Sequence, residues 1–261
     1  MVMAKVALRN ADCPWDLFDS EWYLQRNYGT LRDDDREIIE TLAEFFAKQA
    51  PTRHWHGIDV GSGTNLYPAL AMLPLTETVT LWEYSRANIR WLKHGIRPYG
   101  QSWDLFWEAF RASATVYGRL RRPRSVLPSK AHIERASVFD LPEARWNIGT
   151  MFFVAESITG DRTEFELATM KFIRSLKPGA PFAAAFMRNS RGYQVGAQWF
   201  PAVAVVESDI RRLLGDAAVD LKIRRISSNE PIRHGYDGMI LVTGKRGSAT
   251  RRWSPTAGFG R

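Results

Sequence analysis

Trp55-His56-Gly57-Ile58-Asp59-Val60-Gly61-Ser62-Gly63-Thr64 is the stretch that decides the fold of this chain. A short apolar run ends in an acidic residue, and two glycines one residue apart follow it. We interpret the run as a buried strand and the glycines as a tight turn, because glycine lets the backbone bend freely and lets a ligand approach closely. A helix is predicted to begin near Thr64, with its free N–H groups facing whatever binds over the glycines.

Two acidic residues indicate which kind of nucleotide this turn holds. A dinucleotide-binding turn would carry a third glycine at position 66, where this chain has Leu66. A carboxylate at Asp59 would repel a phosphate but could attract a cationic amino-acid portion. Glu83 ends a second apolar run, at the place where a doubly wound fold puts the acid that binds ribose hydroxyls. A ligand with a ribose, an ammonium group and no phosphate fits S-adenosylmethionine; the alternative is an ordinary strand–turn–helix with a chance carboxylate.

The composition bounds the class of protein. At 261 residues and 45% hydrophobic content, the chain can form one α/β domain with additions or two small domains. Cys13 is the only cysteine, which excludes a disulfide framework and a thiolate metal cluster, and no residues have metal-ligand spacing. No stretch approaches the roughly 20 apolar residues that cross a membrane, and no apolar block suits a signal peptide. We therefore expect a cytoplasmic monomer with no membrane partner and no metal.

The formal net charge of +8 is compatible with a nucleic-acid partner, an anionic substrate or a merely basic surface. The positive residues concentrate in the segment 119–124 and near the end of the chain, without aromatic residues interleaved along one face. We interpret segment 119–124 as a solvated loop and expect no nucleic-acid partner.

Strands alternate with helices along the rest of the chain. Predicted helices cover about 18–28, 33–49, 64–73, 85–92, 102–117, 162–176 and 208–214. Beyond the run before Gly61, predicted strands cover about 79–83, 133–137, 146–154, 181–187, 219–226 and 238–245, with a hairpin at 193–200 and 202–206. This alternation predicts an α/β, Rossmann-like fold with a mostly parallel sheet and helices on both faces. We expect an N-terminal lid and helix at 1–50, the main domain at 51–246 and a flexible tail at 247–261.

Four motifs carry a resemblance to a known family. They are an aromatic leader (Phe18, Tyr23-Leu24, Tyr28), Gly61-Ser62-Gly63 with Tyr67, Leu176-Lys177-Pro178-Gly179, and Tyr193-x-x-Gly196-x-Gln198. From about residue 18 to 246, the chain resembles the class I S-adenosylmethionine-dependent methyltransferases. Within them it is similar to the nicotinamide, phenylethanolamine and thioether/indolethylamine N-methyltransferase group.

The resemblance implies a seven-stranded sheet whose last strand is antiparallel, with S-adenosylmethionine as the cofactor. Tyr23 and Tyr28 look like lid tyrosines that close on cofactor and substrate. With the acidic residues discussed above, the expected cofactor-binding set is Tyr23, Tyr28, Asp59, Gly61, Ser62, Gly63, Thr64, Tyr67, Glu83, Tyr84, Asn88, Ser137 and Val138. The residues expected on the acceptor side are Phe153, Phe186, Tyr193, Ala202, His234 and Asp237.

The chain also departs from this family at three places. Strand five ends in Phe186-Met187, where nicotinamide-methylating members carry an aspartate, and Ala202 stands where they carry a serine. The arginine-rich segment 119–124 has no counterpart that we can match. Nicotinamide is therefore not supported as the acceptor.

Methyl transfer requires the nucleophile, the methyl carbon and the sulfur to lie in line, at about 3 Å between the reacting atoms, in a closed and dry site. A neutral amine already has its lone pair, whereas a protonated amine needs one acceptor nearby. Glu156 is the candidate that orients or deprotonates the amine, with Tyr23 beside it; the alternative is that Glu156 caps the following helix. His234 could instead act as the base for an oxygen acceptor, although a loop histidine is more often structural.

The leading hypothesis from the sequence is a methyltransferase acting on a nitrogen of a small-molecule acceptor. A second is methylation of a carboxylate or hydroxyl of a small anionic metabolite. Methylation of nucleic-acid bases is disfavoured, because the segment 155–158 is not the Asn/Asp-Pro-Pro-aromatic motif of base amino-group methyltransferases. A non-catalytic cofactor-binding or scaffold protein is the alternative of a different class.

Overall fold

The computed structural model describes residues 7–49, 55–228 and 232–248. Most of the predicted tail, residues 249–261, lies outside the described residues. The strands are β1 (His56–Val60), β2 (Thr78–Glu83), β3 (Ala131–Arg135), β4 (Ile148–Phe152), β5 (Pro181–Met187), β6 (Gly192–Val195), β7 (Gln198–Pro201), β8 (Ala218–Ile226) and β9 (Met239–Arg246). The α-helices are α1 (Ser20–Tyr28), α2 (Asp33–Ala47), α3 (Tyr67–Met72), α4 (Arg86–Gly95), α5 (Ser102–Ser113), α6 (Thr115–Gly118), α7 (Pro123–Lys130), α8 (Arg162–Ser175) and α9 (Glu207–Leu214).

Seven of the strands form one sheet in the order β3-β2-β1-β4-β5-β9-β8. The pairs among β1 to β5 are parallel, whereas β9 runs antiparallel to both β5 and β8. The predicted seven-stranded, mostly parallel sheet with an antiparallel last strand is therefore confirmed. The strand order reverses between β1 and β4, and ligands of open α/β sheets bind at the carboxyl ends of the strands beside such a reversal.

The central strands of the sheet are buried on both faces, which explains why their sequences are continuous apolar runs. Every residue of β4 and of β5 is buried. Successive side chains of a strand point to opposite faces, and β5 divides accordingly: Ala183 and Ala185 join one core cluster, and Phe182, Ala184 and Phe186 join the other. Phe186 therefore faces a core.

The helix after the glycine turn begins later than predicted. Residues 61–66 form the turn, and α3 starts at Tyr67 rather than near Thr64. Pro68 sits in the first turn of α3, where its missing N–H costs nothing.

Three other boundaries differ from the sequence predictions. Segment 119–124 is only partly a loop, because α7 begins at Pro123, a residue suited to the first position of a helix. The predicted helix 102–117 is interrupted at Ala114, whose backbone is extended. The hairpin pairs β6 with β7, so segment 202–206 is not a strand. In the described part of the chain, no helix is both long and apolar enough to span a bilayer.

The N-terminal segment is fixed to the loop after β2. Asp19 caps α1 by accepting a hydrogen bond from the N–H of Trp22 at 2.9 Å. Ser85 Oγ donates to the carbonyl of Trp15 at 2.7 Å. Ser20 Oγ donates to Asn88 Oδ1 at 2.8 Å. These contacts hold α1 and the residues before it over the carboxyl ends of the central strands.

Candidate active site

Both glycines of the turn have backbones that other residues rarely adopt. Gly61 has φ +64° and Gly63 has φ +51°, which is the left-handed region. The Gly61 N–H donates to the carbonyl of Trp82 at 2.7 Å, and a Cβ on Gly61 would lie 2.5 Å from Val154 Cγ2. A Cβ on Gly63 would come no closer than 3.7 Å to its neighbours. The turn is thus packed tightly below Gly61 and open above Gly63.

Three backbone N–H groups hold the carboxylate of Glu83. Gly63 donates to Oε2, and Tyr84 and Ser85 donate to Oε1, each at 2.8 Å. Burial raises the pKa of Glu83, and these backbone hydrogen bonds act in the opposite direction. A carboxylate oxygen can accept two hydrogen bonds, so Oε2 retains capacity for a ligand hydroxyl. Glu83 therefore ties the end of β2 to the glycine turn and still faces the space above it.

A cavity opens above the turn, at the carboxyl edge of the sheet. The part of its lining from the turn and the neighbouring strand ends consists of Val60, Gly61, Ser62, Gly63, Thr64, Asn65, Trp82, Glu83, Tyr84, Asn88, Ala136, Ser137 and Val138. The other part consists of Asn10, Trp15, Phe18, Tyr23, Tyr28, Phe152, Phe153, Val154, Ser157, Ile158 and Tyr193. Most of the predicted cofactor-binding residues are in the first group. Tyr67 is in neither group, because its ring is buried against Tyr28, Phe106 and Phe152.

Unpartnered polar atoms mark one end of this cavity. Thr64 Oγ1 and Asn65 Nδ2 are buried and make no hydrogen bond of good geometry. Buried polar groups almost always have partners, so a bound polar group is the natural one here. Thr64 and Asn65 line the cavity, and they fit the carboxylate of the amino-acid part of the expected cofactor. The sequence reasoning did not single out Asn65, although its place between the glycines and Tyr67 could have suggested it.

Asp59 supports the turn from below and does not line the cavity. It is 1% exposed, and Thr150 donates to its Oδ1 at 2.8 Å. Ser62 Oγ donates to its backbone carbonyl at 3.0 Å, while Oδ2 has no partner. Burial, with a smaller contribution from the charge of Glu83, raises the pKa of Asp59 to about 7. The expected direct contact with a cationic ligand is therefore corrected to a contact with the turn.

Because the pKa of Asp59 is raised in the folded protein, the free energy of unfolding should depend on pH. With this pKa the folded carboxyl holds its proton up to about pH 7, whereas in the unfolded chain it loses the proton near its ordinary pKa of 3.8. The unfolded state thus binds fewer protons between these values, and stability falls as pH rises through this window. We expect Asp59→Asn to gain about 2 kcal/mol relative to the unmodified protein between pH 5 and pH 8, measured by urea unfolding.

The control for this measurement is Asp33→Asn, which removes one exposed carboxylate from the first turn of α2. A difference between Asp59→Asn and the unmodified protein that stays constant from pH 5 to pH 8 would contradict the assignment of a protonated Asp59.

Aromatic side chains close the cavity from above. Trp15 stacks on Phe200 of β7 with ring centroids 4.9 Å apart, and Phe200 stacks on Tyr193 of β6 at 5.6 Å. Phe18 packs against Tyr23 at 5.1 Å. The hairpin therefore holds the N-terminal segment in place over the cavity, which shields this side of the cavity from water.

Glu156 is placed behind the cavity wall. It is 0% exposed and does not line the cavity, and its Oε1 accepts from the N–H of Met187 at 2.9 Å and from Ser157 Oγ at 3.1 Å. Burial raises its pKa, with the Met187 N–H opposing that effect. The helix-capping alternative does not apply either, because Asp161 caps α8 by accepting from Thr163. Glu156 joins the loop after β4 to the end of β5.

Four residues predicted on the acceptor side lie outside the cavity lining: Phe186, Ala202, His234 and Asp237. Phe186 packs in a core cluster with its ring 6.0 Å from Phe165. His234 and Asp237 are exposed, and Ala202 is partly exposed after the hairpin. The sequence could not locate the other three side chains, because the position of a loop relative to a cavity depends on its tertiary contacts.

In the loop between β8 and β9, the residue that reaches the site is Arg233 and not the predicted His234 or Asp237. Arg233 is 9% exposed; its Nη1 donates to Ser157 Oγ at 2.7 Å and its Nη2 to the Tyr23 hydroxyl at 2.9 Å. Its guanidinium carbon lies 4.1 Å from the ring centroid of Tyr193. Tyr193 and Phe153 both line the cavity, and Phe153 has a left-handed backbone with φ +61°. Such strain in a residue other than glycine is concentrated at functional sites.

Comparisons with known proteins identify the family and the fold. The model of the NNMT/PNMT/TEMT family matches residues 10–247. No curated protein sequence matches the chain. Among solved structures, the N-methyltransferase NodS of Bradyrhizobium japonicum WM9 with S-adenosyl-L-homocysteine has a TM-score of 0.53 at 11% identity, over 88% of this chain and 93% of that one.

Two further structures share the fold. The 1,6-didemethyltoxoflavin-N1-methyltransferase of Burkholderia thailandensis, with 1,6-didemethyltoxoflavin and S-adenosylhomocysteine bound, has a TM-score of 0.52 at 13% identity, over 88% of this chain and 85% of that one. The [4+2]-cyclase SpnF has a TM-score of 0.52 at 13% identity, over 82% of each chain. At these identities the similarity concerns the fold alone, and one fold can carry different reactions.

Proposed function

Since the chain belongs to the NNMT/PNMT/TEMT family and is therefore an S-adenosylmethionine-dependent methyltransferase, we propose that it transfers the methyl group to a nitrogen of a small-molecule acceptor. One observation carries the choice of nitrogen. Among the described residues that line the cavity there is no His, Lys, Arg or Asp, and the only carboxylate is Glu83. That carboxylate already accepts three backbone hydrogen bonds.

The cofactor supplies an electrophilic methyl group on a sulfonium sulfur. Glu83 is suited to accept hydrogen bonds from the ribose, and the unpartnered Thr64 and Asn65 are suited to the amino-acid part. Ser137 and Val138 line the part of the cavity where the adenine is expected. The side chains of this chain therefore bind and orient, and none of them has to take part in bond breaking.

A site without a free base suits an acceptor that brings its own lone pair. A neutral amine or a heteroaromatic nitrogen does so, whereas a hydroxyl group must first lose a proton to a base. Alignment in a closed and dry site can then supply most of the rate enhancement. The aromatic lining contributed by Trp15, Phe18 and Tyr23 favours an acceptor with apolar surface around that nitrogen.

The absence of a free base among the described lining residues is also compatible with one kind of oxygen acceptor. A carboxylate is already ionised at neutral pH and needs no base, so methylation of a small carboxylic acid is the second candidate. Hydroxyl acceptors are disfavoured. A non-catalytic scaffold role is disfavoured because it does not explain why polar atoms remain unpartnered at one end of the cavity.

The test is a cofactor-release assay across small amines, heteroaromatics, carboxylic acids and phenols, with an RNA sample included. We expect turnover on one or more nitrogen compounds to exceed turnover on every other class. Faster turnover on RNA, or on phenols alone, would overturn the proposal.

The pH dependence of the reaction provides a prediction about Glu156. Because Glu156 lies outside the cavity lining and a glutamine could still accept from the Met187 N–H, we expect Glu156→Gln to leave the shape of the pH profile of kcat/KM unchanged. The profile should follow the pKa of the acceptor nitrogen itself, which two acceptors of different basicity would reveal. The loss of one ionisation from the profile of Glu156→Gln would restore Glu156 as the base.

The partner, the cellular location and the oligomeric state of the protein are also matters of proposal. We propose a small-molecule acceptor as the natural partner, with neither nucleic acid nor a membrane involved, and a cytoplasmic monomer. Their support is the composition described above and the cavity lined with aromatic side chains. Light scattering of the purified protein tests the monomer directly.

A further inference from the structure

Arg233 determines the direction of a hydrogen bond at the cavity wall. A guanidinium group donates hydrogen bonds and accepts none. In its 2.9 Å contact with Arg233 Nη2, the Tyr23 hydroxyl must therefore be the acceptor. The hydroxyl proton of Tyr23 then remains to be donated, and no acceptor for it is found among the described residues. Tyr23 itself lines the cavity.

The second hydroxyl bound by Arg233, that of Ser157, already has a partner for its proton. Ser157 Oγ accepts from Arg233 Nη1 at 2.7 Å and donates its own proton to Glu156 Oε1 at 3.1 Å. Ser157 is thus satisfied within the wall, whereas Tyr23 still has a proton to give. Of the two hydroxyls, Tyr23 is the one that can donate to a bound ligand.

The position of Arg233 is fixed and its charge is retained. It lies against the ring of Tyr193, and the buried carboxylate of Glu156 is a nearby counter-charge. Burial works to lower the pKa of Arg233, but Tyr23, Tyr193 and Glu156 more than offset it, so the pKa stays above its usual value. A hydrogen bond from a charged donor is about twice as strong as a neutral one. The Tyr23 oxygen is therefore held firmly as the acceptor from Arg233, and the hydroxyl proton points away from the guanidinium.

We propose that Arg233 is a positioning residue that fixes Tyr23 as a hydrogen-bond donor to a carboxylate oxygen of the bound ligand. This inference rests on the proposed function, because the ligand is the cofactor or the acceptor of methyl transfer. The carboxylate has two sources, the amino-acid part of S-adenosylmethionine or a carboxyl group on the acceptor. An ammonium group opposite Tyr23 would instead place a donor against a donor.

The test uses Arg233→Met, which keeps an unbranched stem and removes the charge and the donors, and Tyr23→Phe, which removes only the hydroxyl. Calorimetry measures two matched comparisons in each variant. The first compares S-adenosylhomocysteine with 5′-methylthioadenosine, which lacks the amino-acid part. The second compares histidine with histamine, and tryptophan with tryptamine, on protein saturated with S-adenosylhomocysteine.

We expect each variant to weaken the carboxylate-bearing member of one comparison about tenfold or more and to change its partner less than about twofold. The comparison that responds identifies the source of the carboxylate. We also expect the double variant to lose no more affinity than Tyr23→Phe alone, because Arg233 acts through Tyr23. The rescue control is Arg233→Lys, which keeps the charge and one group of donors and should recover part of the selectivity.

Three results would overturn the proposal: equal losses for both members of every comparison, which indicate a structural role; additive losses in the double variant; or unchanged affinities throughout. If Arg233→Met does not fold, Tyr23→Phe decides alone, and unchanged carboxylate selectivity in that variant overturns the proposal. Failure of the proposed function is distinguishable, because it is measured as turnover of the unmodified protein on RNA or phenols in the cofactor-release assay, whereas the present test compares binding affinities between variants.

Discussion

Replacement of Glu83 by alanine is expected to weaken the affinity for S-adenosylhomocysteine about 100-fold or more, which corresponds to about 2.7 kcal/mol. Two losses add in this variant. The ribose loses its carboxylate, and the N–H groups of Gly63, Tyr84 and Ser85 lose the acceptor that holds the turn against β2. Calorimetry measures the affinity, and thermal unfolding reports how much of the fold remains.

The variant Glu83→Gln keeps the volume of the side chain but removes its charge and one of its two acceptor oxygens, so it separates these contributions to the affinity. Both oxygens of Glu83 accept from backbone N–H groups, so either orientation of the glutamine amide would place its NH2 group against a backbone donor. We expect a loss close to that of alanine. The control is Glu143→Ala, an exposed residue that does not line the cavity, which should leave the affinity unchanged. Near-normal affinity in Glu83→Gln would show that only the volume of the side chain matters.

The two glycines of the turn are expected to fail in different ways when replaced by alanine. In Gly61→Ala the new Cβ would lie 2.5 and 2.7 Å from the methyl carbons of Val154, with φ at +64°. Left-handed strain and overpacking together cost about 3 kcal/mol, which lowers Tm by about 5–10 °C in a protein of this size. We expect Gly61→Ala to be a stability variant.

Gly63→Ala serves as the matched variant. Its Cβ would be 3.7 Å from the nearest neighbour, so the backbone strain at φ +51° is its main cost to stability. Because Gly63 lines the cavity, the added methyl group occupies space needed by the ligand. We expect a smaller fall in Tm than in Gly61→Ala but at least a tenfold loss of affinity for S-adenosylhomocysteine. Equal falls in Tm for both variants would contradict the difference in packing around the turn.

The sequence predicted those parts of the fold that local patterns specify. The apolar runs gave β1, β2 and β5 because a parallel sheet buried on both faces requires continuous apolar strands. The glycine spacing located the turn, and the position of Glu83 after β2 followed from the geometry of doubly wound folds. The start of α3 was misplaced because the turn uses residues up to 66 before the helix begins.

The acceptor side was predicted less well for a physical reason. Glu156 has the chemistry of a base, but its hydrogen bond to Met187 directs it into the wall. His234 was selected for its imidazole, whereas the loop turns its neighbour Arg233 inward to reach Tyr23, which is 210 residues away in sequence. Contacts between such distant segments follow from tertiary packing, and no local pattern in the chain encodes them.

The most direct test of the account is a crystal structure of the protein grown with equimolar S-adenosylhomocysteine and NAD. We expect density for S-adenosylhomocysteine above Gly61 and Gly63, with its ribose hydroxyls on Glu83 and its carboxylate end near Thr64 and Asn65. A cavity filled by the pyrophosphate of NAD, or S-adenosylhomocysteine bound elsewhere, would contradict the account.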